Sequence, residues 1–153
     1  MASIIREAVI SAPAAQCWDA VRDFGALHKR LAAGFVTDVT MVNERDRRAT
    51  FFTGAVATER LIGIDEESMR LAYSVIDGPM QATHYNASAQ IVPLGTDRCR
   101  FVWTIDVLPD ELAPRVAELM GAGLRAITVR WARTALHCRV ETCAVPTPEW
   151  FAP

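Results

Sequence analysis

Hydrophobic and polar residues alternate at the start of the chain and then change to a helical spacing. The alternation predicts a strand over residues 3–10. Pro13 suits the first turn of a helix, where its missing N–H costs nothing, and Cys17, Trp18 and Val21 follow at helical spacing. A second short helix is predicted over residues 26–32, before Gly34. The chain therefore begins with one strand and two short helices.

The middle of the chain alternates with a period of two. Turn-forming residues at 43–46, 65–68 and 95–97 divide it into three hairpins. Strands joined by short turns pair in an antiparallel manner, so six consecutive strands predict an antiparallel meander. One of these strands is predicted over residues 83–92.

A long helix is predicted from Pro109 to near Cys138, with an apolar stripe along one side. An antiparallel sheet of this length must curl, and it can enclose the long helix if the two short helices close one end. The prediction is an α+β helix-grip fold: a curved antiparallel sheet of about seven strands around a long C-terminal helix. Space between sheet and helix favours an apolar cavity. Residues 1–140 form this domain, and residues 141–153 form a proline-rich tail.

Composition limits the possible partners. The chain has 153 residues, enough for one domain, and a net charge of -2, which gives no overall attraction to nucleic acid. It has no apolar run of roughly 20 residues, so we expect no membrane insertion and a cytoplasmic location. The four cysteines are expected to be buried reduced thiols, and His137, Cys138 and Cys143 lack a metal-binding spacing. No metal and no cofactor are predicted.

Several segments together resemble a known family. They are the Pro-Ala-Ala-x-x-Trp pattern within residues 12–24, TERLIGIDEESMRLAYSVIDGPM, HYNASAQIVP and VWTIDVLPDEL. The chain resembles the bacterial polyketide cyclase/dehydrase-like branch of the SRPBCC superfamily, whose helix-grip members include START domains, birch-pollen-allergen-like proteins and plant abscisic acid receptors. The resemblance implies binding of a hydrophobic ligand such as a lipid, polyketide or quinone. Only some members catalyse a reaction, typically cyclisation or aromatisation.

Alternation along the strands indicates which side chains face the cavity. Tyr85 and Ala87 share the inner face of their strand, whereas His84 points outward. Tyr73 faces inward on the strand before, although both tyrosines could equally pack the core, as could Trp103. The full set of predicted ligand-binding residues is Glu59, Leu71, Tyr73, Val75, Tyr85, Ala87, Trp103, Met120, Leu124 and Ile127.

The strand that holds Glu59 and Arg60 gives two conflicting indications. Periodicity groups Arg60 with Val56 and Ile62 and slightly favours an inward Arg60. The resemblance implies the opposite, because residues 58–61 match a Thr-Glu-Arg-Leu pattern of the plant hormone receptors, in which the glutamate faces the ligand. We follow the resemblance. The receptors' Gly-Leu-Pro gate and His-Arg-Leu latch are replaced here by FFTGAV and Met80-Gln81-Ala82, so hormone-gated phosphatase binding is not implied.

These observations leave three functions open. The first is binding or transfer of a small hydrophobic ligand. The second is a polyketide cyclase or dehydratase, with Glu59, Asp106 and Tyr85 as candidate catalytic residues. The third is an interaction scaffold, in which Trp150 and Phe151 of the tail would pack on a neighbour, for example in a homodimer.

Overall fold

The computed structural model describes residues 1–141, with side chains as far as Ala132. The tail, with Cys143, Trp150 and Phe151, and the side chains of His137 and Cys138 lie outside this part. The elements are β1 (Ala2–Ile10), α1 (Ala14–Arg22), a 3-10 turn (Phe24–Ala26), α2 (Leu27–Arg30), β2 (Val36–Met41), β3 (Asp46–Phe51), β4 (Val56–Asp65), β5 (Arg70–Asp77), β6 (His84–Pro93), β7 (Cys99–Leu108), a second 3-10 turn (Asp110–Leu112) and α3 (Ala113–Glu141).

All seven strands form one antiparallel sheet in the order β1-β7-β6-β5-β4-β3-β2. β2 to β7 are neighbours in chain order because each is joined to the next by a short connection. β1 returns to the far edge and pairs with β7 along its whole length, from Ala2 opposite Val107 to Ile10 opposite Cys99. The predicted seven-stranded sheet is confirmed.

The first of the two short helices after β1, α1, is attached to the sheet by its own side chains. α1 buries Cys17, Trp18 and Val21, as its helical spacing predicts. The indole Nε1–H of Trp18 donates a hydrogen bond to Glu66 Oε2 at 2.7 Å, and Glu66 lies in the turn between β4 and β5. Trp18 therefore packs the core with its ring and fixes α1 to the sheet with its single donor.

The long helix α3 lies across the sheet but not over its centre. It packs mainly against β1 at one edge, where Val116, Met120 and Leu124 are buried. The inner faces of β3, β4 and β5 are less covered by α3, which leaves space on that side. This arrangement confirms the helix-grip prediction. Across residues 1–141, no helix is both long enough and apolar enough to cross a bilayer.

Two of the four cysteines lie in the described core. Cys17 on α1 and Cys99 on β7 are buried and free. Burial raises the pKa of the Cys17 thiol, and the neighbouring Cys99 raises it further. Both side chains are therefore neutral thiols at physiological pH, and they act as small apolar groups.

Strands β3 and β4 are linked by two ion pairs. In one pair β3 supplies the acidic residue, and in the other β3 supplies the basic residue. In the register, Asp46 is opposite Arg60 and Arg47 is opposite Glu59. Arg60 donates from Nε and Nη2 to the two carboxylate oxygens of Asp46, both at 2.8 Å. Because neighbours on a strand point to opposite faces, each face of the β3–β4 pair carries one ion pair. A shift of register by one residue would bring like charges together.

The outer ion pair predicts a loss of stability in acid. Hydrogen bonds from Arg60, and then from Asn43, lower the pKa of Asp46 from 3.8 to about 2. A lowered pKa in the folded state stabilises the fold above pH 3.8, and that contribution is lost as the pH falls toward 2. We expect Asp46→Asn to be less stable than the parent at pH 6, with a difference that shrinks below pH 4, in urea unfolding at each pH. The control is Asp97→Asn in an exposed turn. A difference that is constant with pH would contradict the assignment.

Candidate functional site

A cavity of about 560 Å³ lies between the sheet, α3 and the segment that contains α1 and α2. Most of its wall is apolar, and its few polar residues are concentrated in parts of the wall. The apolar lining includes Val21, Leu27, Leu31, Phe35, Phe51, Leu71, Val75, Ala89, Phe101, Leu119, Ala122 and Ile127. A largely apolar pocket with a few polar groups is the usual form of a small-molecule binding site.

The mouth of the cavity is marked by lining residues that are exposed to solvent. Phe52 lies in the turn between β3 and β4, Gln81 lies in the connection between β5 and β6, and Arg115 and Glu118 lie on α3. The β3–β4 turn also contains Gly54, whose φ of 82° is a left-handed conformation that favours glycine. The Asp-Gly-Pro-Met segment at residues 77–80 lies at this opening, and all four of its residues line the cavity.

A buried ion pair forms part of the wall. Arg47 donates from Nε and Nη2 to the same carboxylate oxygen of Glu59, Oε2, at 2.7 and 2.6 Å. Its Nη1 donates to the carbonyl oxygen of Phe24 at 2.5 Å, and its guanidinium carbon lies 3.8 Å from the centre of the Phe24 ring. The pair joins β3, β4 and the 3-10 turn after α1. A desolvated charge requires such partners, because an isolated buried ion is very unfavourable.

Both tyrosines of the chain lie in the same wall. The indole Nε1–H of Trp103 donates to the Tyr73 hydroxyl at 3.2 Å. Burial, and then the nearby negative charge of Glu59, raise the pKa of both phenols above the ordinary value of 10.0. The two hydroxyl groups therefore stay protonated at physiological pH, and each can donate a hydrogen bond.

Three polar atoms of this wall have unused hydrogen-bonding capacity among the described residues. The Tyr85 hydroxyl makes no hydrogen bond there, and the Tyr73 hydroxyl accepts one but has no acceptor for its own proton. Glu59 Oε1 accepts none, because both bonds from Arg47 end on Oε2. Two donors and one acceptor are therefore free beside an apolar volume.

A glycine on α3 allows the aromatic wall to approach the helix. A Cβ atom added at Gly123 would lie 2.9 Å from Trp103 Cζ3 and 3.1 Å from Phe35 Cε1, which is too close for either ring. A Cβ atom at Gly121 would meet only the flexible end of Arg125, at 3.5 Å. Gly123 therefore accounts for the position of Trp103, and Gly121 has no comparable packing role.

Most of the predicted ligand-binding residues do face the cavity. The lining contains Glu59, Leu71, Tyr73, Val75, Tyr85, Trp103 and Ile127. Glu59 is 4% exposed, whereas Arg60 extends into solvent on the opposite face, so the orientation implied by the resemblance holds and the one favoured by periodicity does not. β4 has irregular register between Thr58 and Glu59 and again after Leu61. Val56 and Ile62 are apolar but exposed, and they share the face of Arg60. The periodicity therefore indicated the wrong face of β4 as the inner one.

Three predicted wall residues lie elsewhere. Ala87 is in register between the larger Tyr73 and Ile105 and does not line the cavity, whereas Ala89, two residues further on the same face, does. Met120 and Leu124 are buried in the core, on the part of α3 that packs against side chains. Leu119, Ala122 and Gly123 on the adjacent part of the helix line the cavity instead.

Asp106 is not positioned to act in the cavity. It lies opposite Asn86 in the β6–β7 register, on the face that alternates with the inner residues Ile105 and Val107, and it is absent from the lining. His84 shares this outer face, as its alternation predicts. Of the three catalytic candidates, Glu59 and Tyr85 are in the cavity and Asp106 is not.

Sequence reasoning missed Arg47, which was placed next to a turn and given no role. The signal was available in the pattern, because Arg47, Ala49 and Phe51 alternate as one face of β3. A buried glutamate also requires a cation nearby, and Arg47 is the residue directly opposite Glu59 in the register.

The raised phenol pKa values predict a delayed titration. The two tyrosines of the chain are both in this wall, so the tyrosinate absorbance of the native protein reports only on them. We expect little tyrosinate at pH 10.0, where the unfolded chain is about half ionised, and a rise only on alkaline unfolding. A raised pKa stabilises the fold below pH 10, and this contribution is lost as the pH rises. Native and urea-unfolded protein titrating together would contradict the burial.

The two glycines of α3 predict opposite effects of the same substitution. Gly121→Ala should stabilise the protein by up to about 1 kcal/mol, because alanine is the better helix former. Gly123→Ala gains the same propensity but forces Trp103 and Phe35 to move, and overpacking costs roughly 1–3 kcal/mol. Thermal unfolding with near-ultraviolet circular dichroism of the tryptophans tests this. Equal stabilisation by both substitutions would contradict the packing role of Gly123.

Comparison with known proteins agrees with this architecture. The profile of a family described as polyketide cyclase / dehydrase and lipid transport matches residues 1–141. A solution structure of a Thermobifida fusca protein is 30% identical, with a TM-score of 0.73 over 87% of this chain and 95% of that one. The Zhui aromatase/cyclase from a Streptomyces species is 18% identical, with a TM-score of 0.73 over 88% of this chain and 95% of that chain.

A START superfamily protein from Mycobacterium smegmatis is 20% identical, with a TM-score of 0.64 over 92% of this chain and 97% of that chain. At these identities, the last two structures support the fold alone. No curated protein matches the chain by sequence. Since the family profile covers the whole described part, the chain belongs to the polyketide cyclase / dehydrase and lipid transport family.

Proposed function

We propose that the protein binds a small hydrophobic molecule in the cavity between its sheet and α3. The observation that carries this proposal is the cavity itself, with about 560 Å³ of space and a mainly apolar wall. Well-packed interiors leave few voids larger than a water molecule, so a space of this size in a domain of this length supports a ligand-binding site. The residues proposed to contact the ligand are Glu59, Leu71, Tyr73, Val75, Tyr85, Trp103 and Ile127.

Native mass spectrometry of the purified full chain, followed by solvent extraction, tests the proposal. We expect a discrete apolar adduct or, for the empty protein, a thermal shift with hydrophobic ligands. Ala122→Trp places a large ring in the cavity and should reduce ligand uptake at least about tenfold by steric exclusion. The control is Ala132→Trp, at an exposed position on the same helix and outside the lining. Equal uptake by both variants would contradict a ligand in this cavity.

A second candidate function is a cyclase or dehydratase, which is the activity that the family description and the Zhui aromatase/cyclase suggest. The specific observation in its favour is the free Glu59 Oε1 beside two protonated phenols. Glu59 would take a proton from a CH₂ between two carbonyl groups, and Tyr85 would donate a hydrogen bond to the enolate oxygen. The enolate carbon would then form a C–C bond with the carbon of a further carbonyl group. The oxygen of that carbonyl would take up the proton from Glu59.

One variant distinguishes this candidate function from simple binding. Tyr85→Phe keeps the ring and removes the hydroxyl, so it should lower kcat with a poly-β-ketone substrate about 100-fold while ligand affinity changes less. The absence of turnover in the parent protein would leave binding as the function. The homodimer, the scaffold role and the cytoplasmic location stay predictions from the sequence.

A further inference from the structure

We infer that the inner end of the cavity selects a neutral ligand that carries a hydroxyl group, or a hydroxyl beside a carbonyl, and rejects a carboxylate. The groups responsible are Arg47, Glu59, Tyr73 and Tyr85, here called the polar wall. The inference rests on the proposed function, because it concerns what the same cavity holds. It specifies the ligand by charge and by hydrogen bonding.

Charge balance is the first argument. Arg47 and Glu59 form a closely spaced pair whose side chains are only 5% and 6% exposed, and the two phenols are neutral. The polar wall therefore has no net charge. A ligand carboxylate placed against it would be buried without a counter-ion and next to the carboxylate of Glu59, which is strongly unfavourable in an apolar site.

All three nitrogens of the Arg47 guanidinium already donate to protein oxygens. Nε and Nη2 donate to Glu59 Oε2, and Nη1 donates to the carbonyl oxygen of Phe24. The ring of Phe24 also covers the guanidinium at 3.8 Å. A ligand carboxylate that takes the Nε and Nη2 side of the guanidinium would have to displace Glu59, and Glu59 would then be the uncompensated charge.

The unused hydrogen-bonding atoms give the second argument. The phenol hydroxyls of Tyr73 and Tyr85 have free protons to donate, and Glu59 Oε1 is free to accept, within the part of the chain that the structure describes. A ligand hydroxyl is both an acceptor and a donor, so it can satisfy a phenol and Glu59 together. A pure hydrocarbon satisfies neither, and leaves buried polar groups unpaired.

Two arginines at the mouth of the cavity limit the choice of probe molecules. Arg115 and Arg125 line the cavity and are exposed, so a ligand with a carboxylate at its outer end could reach them. The probes must therefore be small and matched. Naphthol, ethylnaphthalene and naphthoate share one ring system and differ in the group presented, which is a hydroxyl, an ethyl group or a carboxylate.

Calorimetric titration of the full chain at neutral pH provides the first test. We expect naphthol to bind at least about tenfold more tightly than ethylnaphthalene, because it satisfies the polar wall, and naphthoate to bind most weakly. Equal affinity for all three would overturn the inference while the proposed function stands. Binding of none of them, together with no adduct in native mass spectrometry, would overturn both.

Variants of the polar wall supply the second test. Glu59→Gln removes the charged partner of Arg47, so naphthoate affinity should rise by at least about 100-fold and exceed that of naphthol. Asp46→Asn is the matched control, because it removes a carboxylate from the other β3–β4 ion pair, on the opposite face, and should preserve the order of affinities. Tyr85→Phe should lower the affinity for naphthol and leave the affinity for ethylnaphthalene unchanged. If Glu59→Gln does not fold, Tyr85→Phe is the variant that tests the inference.

Naphthoate binding to the parent protein has two explanations, which variants of Arg115 and Arg125 distinguish. If Arg115→Gln abolishes it, the carboxylate lies at the mouth, and rejection by the polar wall is supported. If it persists in Arg115→Gln and in Arg125→Gln, the carboxylate lies inside and the inference is overturned. An unchanged order of affinities in Glu59→Gln would overturn it as well.

Discussion

The buried contact between Arg47 and Glu59 is the interaction on which the site depends. It fixes the register of β3 against β4, and through the Phe24 carbonyl it holds the 3-10 turn that follows α1. Replacing buried ion pairs with apolar side chains is often neutral or stabilising, whereas removing one partner is strongly destabilising. The pair is therefore poorly explained by stability alone. Its position in the cavity wall gives it a second role, which is to make the inner end polar without giving it a net charge.

The cavity itself follows from where the long helix packs. α3 lies mainly on β1 at one edge of the sheet, so the inner faces of the central strands are covered only in part. Small residues such as Ala57, Ala89 and Ala122 line the remaining space and do not fill it. Gly123 lets Trp103 lie against the helix, where the Tyr73 hydroxyl accepts its indole N–H. The volume thus arises from helix placement and from side chains too small to close it.

Sequence patterns were sufficient for the fold and for part of the site. Alternation placed Tyr73 and Tyr85 inside because buried and more exposed residues alternate around both tyrosines. It failed on β4, where register irregularities and exposed apolar residues such as Ile62 reverse the apparent inner face. On α3, periodicity identified the buried side of the helix but not which part of it meets open space, so Met120 was chosen and Leu119 was not. Arg47 was missed because its role appears only when β3 is placed beside β4.

Three features of this wall are unfavourable for folding, and all three concern the same cavity. A glycine inside a helix costs about 1 kcal/mol relative to alanine, a buried ion pair costs the desolvation of two charges, and the free phenol protons lack acceptors. For folding alone, an apolar pair in place of the two ions and acceptors for the phenol protons would be more favourable. Local departures from good packing are expected at functional sites, where a ligand supplies the missing contacts. An occupant with both apolar and hydroxyl surface would offset the second and third of these costs, because it would fill the space and accept and donate the unused hydrogen bonds.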